Sequence, residues 1–122
     1  MNNNEFNKIL WHDSELCNIT IDRRNPGNND QIIIDIRWQN DEMTKFIFKD
    51  CYELELQMNF GIIAPESILK ASSTNKSDKL DYIRKKWQKI GVNLDHLNCF
   101  EIVMNSTSSV IRIYALNCVR SE

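Results

Sequence analysis

Glycine and proline are scarce, with three and two respectively in 122 residues. Gly27, Gly61 and Gly91 stand far apart, so the chain has no glycine-rich loop of the kind that cradles phosphate. The serines at 106, 108 and 109 lack a Gly-x-Ser-x-Gly frame and read as turn residues. No two of Cys17, Cys51, Cys99 and Cys118 form a Cys-x-x-Cys pair, so the usual ligand spacing of structural zinc is missing. The formal net charge of -2 is too small to mark nucleic acid or an anionic membrane as the partner. No apolar run approaches the ~20 residues of a membrane-spanning helix. The opening Met1-Asn-Asn-Asn-Glu5 lacks the basic and apolar segments of a secretory signal. Reduced thiols packing as small apolar groups, in a cytoplasmic protein, are therefore expected.

What is present is the composition of a globular protein, 42% hydrophobic and 26% charged. The length predicts a single domain, 1–122, with one sizeable core. Its clearest pattern is Tyr52 to Phe60, where Tyr52, Leu54, Leu56, Met58 and Phe60 alternate with Glu53, Glu55, Gln57 and Asn59. Strict alternation marks a half-buried strand, because successive side chains point to opposite faces. The same logic predicts strands over about 15–23, 31–39, 44–49, 100–104 and 110–118. In the first, Cys17, Ile19 and Ile21 share a face. In the second, Ile32, Ile34, Ile36 and Trp38 oppose Ile33, Asp35 and Arg37. Pro26-Gly27 has the residue order of a type II turn. One straight strand from Thr44 to Phe60 would span about 55 Å at ~3.3 Å per residue. A domain this size has a radius of gyration of only about 14 Å. A turn or sharp bulge is therefore placed at Lys49-Asp50-Cys51.

The segment to about Lys8 reads as polar and loose, with Ile9-Leu10-Trp11 docking on the core. Residues 64–69 read as a short helical turn and 71–77 as a loop. A helix follows over about 78–90, with Ser77 as N-cap and Leu80, Ile83, Trp87 and Ile90 as its apolar stripe. Its acids lie early, its lysines lie late, and Gly91 follows as its stop. Leu94 to Leu97 suggests one more turn. The fold class expected is α+β, a mostly antiparallel sheet of about six strands with one main helix inserted between strands four and five.

Chemistry-bearing clusters are few. His12, Asp13 and Glu15 have the side chains of a metal or acid–base site, the basis of an alternative reading as a metal-dependent enzyme. The plainer reading is a turn before the first strand, with His12 bonding backbone. Arg84, Lys85, Lys86 and Lys89 make the helix basic and raise nucleic-acid binding through 78–90 as a further alternative. Trp87 lies on the apolar stripe, however, and a charged run on a helix is usually a solvated face. Glu53 and Glu55, with Asp35 on the same sheet surface, form an acidic patch suited to a protein with a basic groove.

Three stretches together resemble a known family. They are Trp11-His-Asp-Ser-Glu-Leu16 leading to Ile21-Asp-Arg23; Phe48-Lys-Asp-Cys-Tyr52 leading to Met58-Asn-Phe-Gly61; and Phe100-Glu-Ile102 with Asn105-Ser-Thr107 and the final strand. This resembles the YxiG-like family of small bacterial proteins, grouped with immunity proteins of polymorphic, contact-dependent inhibition toxin systems. The resemblance implies a cytoplasmic α+β protein that binds and neutralises a cognate toxin domain. It implies no enzymatic activity, no cofactor, and no catalytic or metal-binding residue. The acidic patch then suggests a nuclease-type toxin docking at Glu53, Glu55 and Asp35, with no membrane or direct nucleic-acid contact. The alternation further predicts that Leu56, facing the core, is costly to truncate.

Overall fold

The computed structural model describes residues 1–121. In chain order the elements are α1 (Asn3–Asn7), β1 (Glu15–Ile21), β2 (Ile32–Arg37), β3 (Met43–Gln57), β4 (Ile68–Thr74), α2 (Asp78–Gln88), β5 (Asn98–Met104) and β6 (Val110–Ser121). The strands form one antiparallel sheet in the order β1-β2-β3-β6-β5-β4. With two helices of 5 and 11 residues the molecule is mostly sheet, and α2 lies between the fourth and fifth strands. The sheet curls until its two edge strands touch at one corner. There Glu15 bridges Ser67, Leu16 N–H donates to Glu66 O at 2.9 Å and Ile68 N–H donates to Ser14 O at 2.8 Å.

The main core lies on the inner face of the curl. Ile34, Ile36, Phe46, Phe48, Phe100, Ile102, Ile111 and Ile113 meet there, as their alternation requires. On the outer face α2 lays Leu80 and Ile83 over Cys99, Tyr114 and Tyr52, making a second, smaller cluster. Ser77 caps the helix by accepting from Leu80 N–H at 3.1 Å. Gly91, at φ 84°, ends it in a Schellman pattern, Val92 N–H to Trp87 O at 3.1 Å and Gly91 N–H to Gln88 O at 3.0 Å. Ile90 lies past the last helical residue and is exposed, so it leaves the expected stripe. Leu94–Leu97 closes a single turn, with both leucines buried.

Several expectations are corrected. The stretches 44–49 and 52–60 belong to one strand. β3 runs on to Gln57 because it bends, with Asp50 at φ 55° and one extra residue between Cys51 and Glu53 relative to β6. Phe48, Cys51 and Leu54, spaced by three, all reach the main core as a result. Past the bend the core covers the strand only in part: Leu54 and Met58 still pack against it, whereas Leu56 is 43% exposed and Phe60 89%. The sixth strand is instead β4, which covers residues read as the end of a helical turn and as loop; 64–69 forms no helical turn, because Ile68 and Leu69 enter this strand. In β1 a bulge between Leu16 and Asn18 turns Leu16 and Ile19 inward and leaves Cys17 and Ile21 exposed.

The N-terminus is not loose. Asn2 and Glu5 form a capping box, and Phe6 is fully buried against Trp11, Phe46, Phe48 and Phe100. Asn7 pairs with the backbone of Ser73, donating from Nδ2 to its O at 3.1 Å and accepting its N–H at 2.6 Å. Together α1 and β4 shut one side of the curl.

Candidate functional site

The outer face of β3, β5 and β6 carries a connected charged cluster built largely from strand residues. Glu53 and Glu55 project there, opposite Leu54, because they follow the bend in register with Tyr114 and Arg112. Glu53 accepts from Lys79 Nζ of α2 at 2.7 Å. Glu55 accepts from Tyr114 Oη at 2.6 Å and lies 4.0 Å from Arg112 Nη1. Arg112 Nε donates to Glu101 at 2.8 Å. Two carboxylates thus share one guanidinium, which leaves the group net acidic. The ion pair with Glu101 raises the Arg112 pKa, and the bond to Glu53 raises that of Lys79. Burial, followed by the bond to Glu55, pushes the Tyr114 phenol up, so it remains a hydrogen-bond donor.

Asp35 shares the outer face but not the cluster. It pairs with Lys45 across β2 and β3 at 2.7 Å. Lys45 lies eight residues before Glu53 on β3, about 26 Å of strand at ~3.3 Å per residue. The acidic patch is therefore two separate points.

A cleft of about 640 Å³ lies beside Glu53, between the 23–31 loop, the bend of β3 and Trp87. Two of its charged groups, Arg23 and Asp30, satisfy each other. Arg23 donates to Asp30 at 2.9 Å, and Asp30 also accepts Gly27 N–H at 3.1 Å. Those two bonds hold the Asp30 carboxyl below its usual range. Gly27 takes φ 86° in the expected turn, and Asn28 N–H reaches Asn25 O. The thiol of the cleft, Cys51, is pushed up to about 12 by burial, which makes it a poor nucleophile near neutrality.

The other sequence candidates do not converge. His12 Nδ1 lies 3.1 Å from Leu69 O and its Nε2 3.4 Å from Asp13, whereas Glu15 turns away to Arg37 at 3.5 Å. Asp13, at φ 66°, helps form the turn before β1. Among the described residues, no three His, Cys, Asp or Glu side chains are grouped as a metal ion needs. On α2, Lys85, Lys86 and Lys89 are exposed, but Arg84 is a clamp. It donates to the carbonyls of Asn75 at 2.6 Å, Leu97 at 3.0 Å and Leu94 at 3.1 Å. Among the described residues, no helix is long and apolar enough to cross a membrane.

Sequence reasoning missed one feature, the loop from Phe60 to Ala64, which stands out from the same end of β3 with its apolar side chains in solvent. The available signal was an uncharged apolar run interrupted by Gly61 and Pro65, which cannot continue the strand. No protein-family model matches the chain, and no curated protein matches it significantly.

Proposed function

We propose that the chain is a cytoplasmic, non-enzymatic immunity protein that binds a cognate toxin domain of the nuclease type, with the outer-face carboxylates facing the rim of the toxin's basic cleft. The observation that supports this reading is the surplus of carboxylate on rigid strands. Glu55 and Glu101 share Arg112, and Glu53 stands beside them. Fixed acidic groups on a sheet steer a basic partner without the ordering cost of a flexible tail. The resemblance to the YxiG-like proteins points the same way. Asp35, paired and distant, sits at the rim.

Co-expression with the product of the gene immediately upstream tests the proposal. A tight complex that relieves toxicity is expected; no complex and no rescue would refute it. The charge contribution is read with Glu55→Gln and Glu101→Gln, which keep hydrogen-bond acceptors for Tyr114 and Arg112. Lysine at 53 would instead crowd Lys79. The double glutamine variant should associate about tenfold more slowly at low salt, since charge acts chiefly on encounter.

A further inference from the structure

The loop between β3 and β4 inverts the usual arrangement of apolar side chains. Phe60 is 89% exposed, Ile62 49% exposed and Ile63 fully exposed. Leu56, at the end of the strand that feeds the loop, is 43% exposed. Single exposed apolar residues need no explanation, but a contiguous set on one protrusion does.

The base of this loop is held firmly. Asn59 N–H donates to Ser109 Oγ at 2.9 Å, and Asn59 Nδ2 donates to Thr107 O at 2.8 Å. On the far side Ser106 Oγ donates to Pro65 O at 2.5 Å, Thr107 Oγ1 donates to Glu66, and Asn105 N–H donates to Ser67 O at 2.7 Å. Thr107 and Ser109 are themselves buried. The β5–β6 turn thus braces both legs of the loop, which lowers the ordering cost of docking at its base.

Local charge selects the occupant. Beside the loop, Glu55 and Glu101 share the single guanidinium of Arg112, and Glu66 is held by the hydroxyl of Thr107, which leaves the loop's surroundings with a surplus of carboxylate. An anionic membrane would be repelled, because a loop that inserts between lipids is favoured by flanking cations. A second copy of this chain would set the same acids against each other. A protein whose apolar pocket is rimmed by Lys and Arg meets both features at once.

We infer that Phe60, Ile62 and Ile63 form an apolar plug that enters a basic-rimmed pocket on the protein partner, a second contact beside the outer-face acids. This inference rests on the proposed function for the identity of the partner.

The test uses the full chain and its Phe60→Ser/Ile63→Ser variant, with the product of the gene immediately upstream as probe. Both side chains lie in solvent, so melting and far-UV circular dichroism should be unchanged while affinity falls at least tenfold. A complex of unchanged affinity in the double variant overturns the inference alone; no complex with the wild type overturns the proposed function as well. Two further arms address the competing occupants. Co-sedimentation of the wild type with phosphatidylcholine–phosphatidylglycerol vesicles overturns the inference, as does a wild-type dimer that the double variant dissolves.

Discussion

The four thiols meet three different environments. Cys17 is turned into solvent by the bulge in β1, Cys51 is half-buried, and Cys99 and Cys118 are buried. Burial pushes Cys51 and Cys118 up to about 12 from an ordinary 9.0 and raises Cys99 as well. At pH 8 Ellman's reagent should therefore titrate one thiol rapidly, Cys17, and the rest only after unfolding. The same shifts set an alkaline limit. Below pH 9 these thiols are neutral in both states and the stability is complete. As pH rises from about 9 to 12 the unfolded chain releases protons that the folded one retains, and stability falls. Melting temperatures measured from pH 8 to 11 should decline less steeply in Cys51→Ala/Cys118→Ala. Arg84 carries a different kind of stability. Arg84→Gln strands three carbonyls that now accept charged hydrogen bonds and should cost about 2–3 kcal/mol in urea unfolding. Its neighbour Lys85→Gln should change stability by less than about 0.5 kcal/mol.

Among the elements, β3 shows how position on a strand outweighs pattern. Leu56 and Ile111 are direct partners across β3 and β6, yet Ile111 is fully buried and Leu56 is not. Ile111→Ala should cost about 2–5 kcal/mol and Leu56→Ala under about 1 kcal/mol, both from denaturant midpoints. A cost for Leu56 as large as that for Ile111 would mean that the loop end of β3 is folded over in solution. The short α1 is the converse case, where one residue justifies an element. Phe6→Ala should cost about 3–5 kcal/mol, because its ring touches four aromatic partners.

For the whole molecule, a net charge of -2 conceals an uneven distribution, with lysines on the late turns of α2 and surplus carboxylates on the outer face of the central strands β3 and β6 and of β5. Association with a basic partner should therefore slow steeply as salt rises from about 50 to 500 mM, with dissociation changing much less, when followed by surface plasmon resonance. Comparable salt effects on both rates would place the carboxylates inside a desolvated interface instead.

The sequence by itself determined the elements whose side chains repeat. Ile32 to Trp38, Phe100 to Met104 and Ile111 to Ala115 alternate, and Leu80, Ile83 and Trp87 follow the helical period; local geometry is enough to read such patterns. The Pro26-Gly27 turn and the cap at Ser77 were legible for the same reason. Tertiary structure alone decided the rest. β4 is an edge strand of Ser72-Ser-Thr74 type, whose pairing with β5 and bonds from Asn7 hold it where propensity would not. Of the candidate site, the outward aim of Glu53 and Glu55 was legible from alternation. Their tie to Lys79, Tyr114 and Arg112, and the distance of Asp35, were not. Those depend on a bend at Asp50 and on the pairing of β3 with a strand more than fifty residues away. The exposure of Phe60 and Ile63 depends on where the core ends, which a periodicity cannot record, because the same alternation continues past the last residue that finds a partner.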